Sequence, residues 1–183
     1  MKFRNLAKPF RFESQNSSLR VERIDGEIEL VHGRLTGRRL TGPIQITSKS
    51  KDIELADFTN TLEIDVERGD IQLRPTRLPL SKINARTRSG KAELILPAGA
   101  KLDLKAEVKK GQIQNDFGEP FRVREDGRAS TLTGSTGGGP EVKIEVDRGD
   151  IEVRKWTNED APAPPAAPVA PVAPRSPLEV TKQ

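Results

Sequence analysis

The stretch Leu62-Glu63-Ile64-Asp65-Val66-Glu67-Arg68-Gly69-Asp70-Ile71-Gln72-Leu73-Arg74 returns as Val142-Lys143-Ile144-Glu145-Val146-Asp147-Arg148-Gly149-Asp150-Ile151-Glu152-Val153-Arg154. Both copies alternate apolar and polar residues on either side of an Arg-Gly-Asp step. Alternation of period two marks a half-buried strand, because successive side chains point to opposite faces. The apolar set is rich in Ile and Val, β-branched types that suit a pleated surface. Glycine at the step accepts the backbone angles of a sharp corner. Each copy therefore reads as two short strands joined by a turn.

The same step recurs outward from these copies. Phe10/Phe12, Leu19/Val21, Ile28/Leu30, Ile44/Ile46, Ile53/Leu55, Leu62/Ile64 and Ile71/Leu73 form one series, whose first members are 9, 9, 16, 9, 9 and 9 residues apart. The gap of 16 leaves room for a weaker strand around Leu35. Every apolar position from Phe10 to Leu30 reappears 34 residues later, as in Leu19 to Ile53, Ile24 to Phe58 and Ile28 to Leu62. The pattern continues at Ile83/Ala85, Ala92/Leu94, Val142/Ile144 and Ile151/Val153. The intervening residues Glu29, Gln45, Glu54, Glu63, Gln72, Glu93, Asp103, Lys143 and Glu152 are polar and are expected to face water. Asp25-Gly26, Gly42-Pro43, Ser89-Gly90 and Lys110-Gly111 mark further corners. One unit buries too few side chains, at roughly 1.5–3 kcal/mol each, to offset about 1–2 kcal/mol of backbone entropy per ordered residue. Stacked units share a continuous core. The expected fold is all-β, a parallel β-solenoid of short repeats; an antiparallel β-sandwich is the alternative.

Composition narrows the function. The 183-residue chain has 31 basic and 27 acidic residues, no Cys and one His. Thiolate chemistry, disulfides and multi-His metal sites are thereby excluded. No run reaches the ~18 apolar residues of a membrane-spanning helix. Basic residues are interspersed with acidic ones, and aromatics make up 4% of the chain. A nucleic-acid binder concentrates its positive charge and interleaves stacking rings, so no specific nucleic-acid partner is expected. The first ten residues lack the apolar region of a secretory signal. Ala161 to Pro177 holds seven prolines in 17 residues, a composition that favours extended polyproline II. The division expected is a β-solenoid domain over 1–156 and a Pro/Ala-rich disordered tail over 157–183.

No residue stands out as catalytic, cofactor-binding or metal-ligating. The Arg-Gly-Asp triplets at 68–70 and 148–150 lie where a strand begins, so they read as turns in which Asp bonds nearby backbone and Arg is solvated. Gly134-Ser135-Thr136-Gly137-Gly138-Gly139-Pro140 lacks the Gly-Lys-Ser/Thr of a phosphate loop and runs into a strand, so it reads as a flexible loop. Glu54, Glu63, Glu93, Glu145 and Glu152 would matter to a polysaccharide-active enzyme only if they converged in a cleft. Arg34, Arg38, Arg39, Arg74, Arg77 and Arg86 would make a basic polyanion-binding module only if they shared one face. His32 is expected at the surface, Trp156 as a cap over the open core, and Phe117 and Phe121 as packing under the excursion 115–140.

The iterated Gly-Asp-Ile-Gln-Leu steps (Gly69 to Leu73, Gly149 to Val153) carry a resemblance to a known family. So does the ending Asn115-Asp116-Phe117-Gly118, Leu132-Thr133-Gly134 through Pro140, and Arg148 to Val153. From about Lys8 to Lys155 the sequence resembles the bacterial adhesin domains built of β-strand repeats, a widespread domain of unestablished function. The resemblance implies a parallel β-helix or roll in the cell envelope, commonly beside a membrane segment, with no catalytic residues and no cofactor. This chain opens almost inside a strand, without a leader or membrane segment, so the expectation is either a truncated chain or one coil of a longer solenoid whose preceding rungs are missing. The expected role is non-catalytic: a scaffold or binding surface for an envelope protein or polysaccharide, with end-to-end self-association through open end rungs.

Overall fold

The structure is a computed structural model that describes residues 2–6, 10–14, 17–21, 24–31 and 33–156. Every regular element among them is a strand: β1 (Lys2–Leu6), β2 (Phe10–Ser14), β3 (Ser17–Val21), β4 (Ile24–Val31), β5 (Arg34–Leu40), β6 (Ile44–Ser48), β7 (Asp52–Phe58), β8 (Leu62–Arg68) and β9 (Ile71–Arg74). They continue as β10 (Ile83–Ser89), β11 (Ala92–Leu96), β12 (Asp103–Val108), β13 (Ile113–Asn115), β14 (Arg122–Asp126), β15 (Ala129–Ser135), β16 (Glu141–Arg148) and β17 (Ile151–Lys155). Two sheets result, ordered β1-β4-β5-β7-β9-β11-β17-β13 and β14-β15-β12-β16-β10-β8-β6-β3-β2. The fold is all-β and solenoid-like, and each sheet is mixed rather than closed.

The middle of both sheets is parallel. Five strand pairs, β6–β7, β8–β9, β10–β11, β16–β17 and β12–β13, each cross from one sheet to the other and stack in that order. The two literal copies do not sit side by side. They flank the same rung: Ala85 of β10 is paired with Ile64 on one side and with Ile144 on the other. The last strands of the chain thus slot between β10–β11 and β12–β13.

Alternation puts like on like inside. Ile46, Ile64, Ala85, Ile144 and Ala106 form one inward row, and Ile53, Ile71, Ala92, Ile151 and Ile113 another. All are buried in one apolar core. Leu35, in the weaker strand, is buried in the same core, while the alternating polar residues from Gln45 to Glu152 are exposed or half-exposed as expected. Gly37 faces this core where a Cβ would lie 2.8 Å from Leu55 Cδ2. Side-chain volume, not backbone angle, explains that glycine.

The ends depart from the repeat. The 34-residue copy led to the expectation of another parallel unit over Phe10–Leu30. Instead β2 and β3 form a hairpin, β3 runs antiparallel to β6, and β4 runs antiparallel to β5. Period-two alternation records which face a residue occupies and is silent about strand direction. At the opposite end β14 and β15 form a second hairpin, with β15 antiparallel to β12. Beside it Phe117 and Phe121 are buried with ring centroids 5.1 Å apart. The Asn115 side chain ties this turn, donating from Nδ2 to the Phe121 carbonyl at 2.8 Å and accepting from Gly118 N at 3.2 Å. Phe117 and Phe121 pack as expected. Trp156 does not cap the core: it is 37% exposed, and its backbone N–H bonds Leu96 O at 2.8 Å. The last described strand, β17, is not at the end of the stack.

Candidate functional site

Stacking decides which charges meet. On the outer face of the eight-stranded sheet, Arg154 Nε donates to Glu93 Oε1 at 2.9 Å and lies 3.3 Å from Glu152 Oε1. Lys91 also pairs with Glu152, and that hydrogen bond, followed by the carboxylate's charge, raises the Lys91 pKa. Gln72 donates to Glu93 across one rung. On the outer face of the other sheet Glu63 accepts from Gln45 Nε2 at 3.2 Å. Glu145 pairs with Lys143 and lies 3.9 Å from Arg86; the Lys143 hydrogen bond in particular holds its carboxyl below the usual range. The five candidate acids are therefore split, with Glu54, Glu93 and Glu152 on one sheet and Glu63 and Glu145 on the other. The five do not meet in one place, but Glu93 and Glu152 are register neighbours bridged by Arg154, in the same row as Glu54. A groove lined by Arg34, Asp52, Glu54, Gln72, Lys91 and Glu93 runs along the first face.

Four of the six arginines, Arg34, Arg38, Arg39 and Arg74, lie on strands of the eight-stranded sheet, while Arg86 lies on the nine-stranded one. Arg77 is in a connection and binds Asp57, with Nη2 3.0 Å from Oδ2. His32 and the tail 157–183 lie outside the described residues. Among the described residues no group of three or more His, Cys, Asp or Glu is arranged to hold a metal ion, and no helix is long and apolar enough to cross a membrane.

The corner between the sheets is built most regularly. Gly69, Gly90, Gly149 and Gly111 stack there with φ of 138°, 150°, 133° and 147°. A Cβ on Gly90 would sit 2.2 Å from Gly69 O, on Gly149 2.1 Å from Gly90 O, and on Gly111 1.8 Å from Gly149 O. No side chain fits that column. The flanking aspartates brace it: Asp52 Oδ1 accepts from Asp70 N at 3.0 Å, Asp70 Oδ1 from Lys91 N at 2.7 Å, and Asp150 Oδ1 from Gln112 N at 2.9 Å. Inside the corner the buried hydroxyls of Thr87 and Ser130 donate to Gly69 O (3.1 Å) and Gly111 O (3.3 Å). Both Arg-Gly-Asp triplets belong to this corner: Gly turns, Asp bonds backbone, and Arg68 and Arg148 are exposed.

Around those arginines lies a concavity of about 370 Å³ lined by Glu67, Arg68, Arg88, Ser89, Lys109, Lys110, Asp147 and Arg148. Lys109 Nζ is 2.7 Å from Asp147 Oδ1, and with Arg86 and Arg88 nearby it holds the Asp147 carboxyl below the usual range. Sequence reasoning passed over this cluster. Its members come from β8, β10, β12 and β16 and their turns, and only the rung order, with β16–β17 inserted, brings them together.

The 134–140 segment is packed at its two ends and open at Gly137 and Gly138. A Cβ on Gly134 would lie 2.6 Å from the Phe121 ring, and one on Gly139 2.3 Å from Lys101 O. Thr136 Oγ1 donates to Ala100 O at 2.7 Å and accepts from Leu102 N at 2.9 Å.

Stacked parallel rungs with flat outer faces define a β-repeat domain of the solenoid-like class. Residues 12–154 match the model of the family described as Toastrack DUF4097, and the chain belongs to that family. A solved structure similar to it is that of a "putative cell adhesion protein" from Clostridium sporogenes, at 16% identity, TM-score 0.40, covering 79% of this chain and 85% of that one. No curated protein matches the sequence.

Proposed function

We propose that the chain is a non-catalytic, adhesin-like scaffold of the cell envelope that presents a rigid binding surface to an envelope protein or polysaccharide. The observation supporting this reading is that outward carboxylates are neutralised by basic neighbours. Glu93, Glu152 and Glu145 each hold a basic partner from their own or a neighbouring strand, and the acids are divided between two faces. A glycosidase sets two carboxylates to act on one bond, whereas Glu93 and Glu152, the two that are register neighbours on one face, are bridged to each other by Arg154. Non-local pairing and a continuous core make such a surface stiff.

The test is co-sedimentation of the full chain with isolated bacterial envelope, together with an assay for released reducing ends. Retention without release supports the scaffold. Release of reducing ends that disappears in Glu93→Gln or Glu152→Gln would replace it with an enzyme.

A further inference from the structure

The concave corner carries a more specific assignment. At the ends of β8, β10 and β16, the register places Arg68, Ser89 and Arg148 in one row, and Lys110 follows in the next rung, its N–H bonded to Asp147 O at 3.1 Å. Arg68 and Arg148 are thus two rungs apart, roughly 10 Å at ordinary inter-strand spacing, with a serine hydroxyl between them. In the adjoining row Glu67, Arg88, Asp147 and Lys109 alternate in sign. Asp147 is already engaged by Lys109. No ion pair joins Arg68, Arg148 or Lys110 among the described residues, and all three side chains are exposed. The corner therefore presents unneutralised positive charge in a line along the solenoid axis, on a backbone that the glycine column holds fixed. This contrasts with Glu93, Glu145 and Glu152 on the outer faces, each of which holds a basic partner.

We propose that this corner binds an acidic polysaccharide laid along the solenoid axis, its anionic groups against Arg68, Arg148 and Lys110 and its hydroxyls beside Ser89. Guanidinium groups suit carboxylate and sulfate oxygens because they donate in a planar fork. The lining has no aromatic ring, so nucleic-acid bases would find nothing to stack on, and a glycan is the better fit. This assignment deepens the scaffold reading and rests on it for its biological setting.

The experiment uses heparin as the probe, with binding to the full chain measured by titration at several salt concentrations. Arg68→Glu/Lys110→Glu/Arg148→Glu should weaken binding at least tenfold and flatten the salt dependence by about two to three counterions. A matched control, Arg38→Glu/Arg122→Glu/Arg124→Glu, carries the same charge change elsewhere and should stay within about threefold of the parent, the general effect of net charge. Glutamine at the three corner positions should give an intermediate loss with an unchanged melting temperature, separating binding from folding. Equal losses in corner and control variants would overturn the proposal, as would single-stranded DNA binding as tightly as heparin through the same residues. Envelope retention that survives the corner substitutions would overturn the corner and leave the scaffold standing. Heparin binding by a chain that envelope does not retain would do the reverse.

Discussion

The five-rung parallel stack and the two antiparallel hairpin ends are built from similar strands under different rules. In the stack, residue i of one rung lies beside its equivalent in the next. A corner that needs glycine once needs it every time, and an apolar residue is paired with apolar residues above and below. Parallel pairing therefore selects for copies of one sequence, and the most literal copies flank a single rung. In the hairpins, neighbours run in opposite directions and equivalents never meet. β14 is exposed throughout, and its glycine turn touches nothing: a Cβ on Gly127 has open space around it, whereas one on Gly149 meets a carbonyl at 2.1 Å. Repetition in this chain is a consequence of stacking, and it fades where stacking stops. The hairpins end the nine-stranded sheet on both sides with strands unlike the rungs, whereas the eight-stranded sheet ends at one edge on β13, a rung strand.

Buried substitutions test the comparison most severely. Ile144 is 1% exposed and packs between Ala85 and Ala106. Ile144→Asp buries an unpaired carboxylate and should cost more than about 4 kcal/mol, enough to unfold the domain. Val123→Asp, on β14, should stay within about 0.5 kcal/mol, and so should Gln72→Lys on an outer face. Urea denaturation ranks the three, and equal costs for Ile144 and Val123 would erase the distinction between stack and hairpin.

The glycines come next. Gly149→Ala combines a left-handed backbone with the carbonyl of Gly90 and should lose about 3 kcal/mol or more. Gly127→Ala keeps φ at 62° but has room, so about 1–2 kcal/mol is expected. Comparable thermal shifts for the two variants would show that the corner column gives way more easily than its spacing implies.

How much of this was legible in the sequence follows from the same contrast. Faces were legible: Ile53, Ile71 and Ile151 point inward and Glu54, Gln72 and Glu152 outward, because the pleat fixes parity. Corners were legible from Gly69-Asp70 and Gly149-Asp150. Direction and order were not. Phe10–Leu30 carries the alternation of Ile44–Ile64 yet turns back on itself, and the 142–154 copy enters the stack before the strands that precede it in the chain. That insertion misplaced Trp156 as a cap. It also hid the basic corner, since Arg88 gains its neighbours from positions 67 and 147 only when both copies flank β10. Of the six arginines singled out instead, four fall on strands of the eight-stranded sheet, and none is in this corner.

Hydroxyls inside the corner give a smaller, sharper contrast. Thr87 is fully buried and satisfies Gly69 O at 3.1 Å. Thr87→Val keeps the shape and strands that carbonyl, for an expected loss of about 1–2 kcal/mol. Thr131 in the hairpin lies 3.5 Å from the Arg124 carbonyl near solvent, and Thr131→Val should change stability by less than about 0.5 kcal/mol. A similar loss at both sites, read from denaturation midpoints, would mean that the buried bond contributes nothing of its own.

The smallest effect tests charge matching between rungs. Asp147 is held below its usual range first by the Lys109 hydrogen bond, then by the charges of Lys109, Arg86 and Arg88. Glu145 is lowered first by the Lys143 hydrogen bond, then by the charges of Lys143, Arg86 and Lys109. Both carboxyls have folded pKa values depressed relative to the unfolded chain, where about 3.9 and 4.3 are ordinary. Their stabilisation is therefore complete above the unfolded values and is lost as pH falls through the folded ones. The side chains are 23% and 30% exposed and their lysine partners more so, which keeps each contribution within about 1 kcal/mol. Stability measured from pH 6 downward should hold until about pH 4–5 and then decline, and Glu145→Gln/Asp147→Asn should make that decline shallower. High salt should shrink the difference between parent and variant, because exposed pairs are screened. Superimposable pH profiles for the two chains at low salt would mean that neither the Lys109–Asp147 pair between rungs nor the Lys143–Glu145 pair along β16 adds to stability.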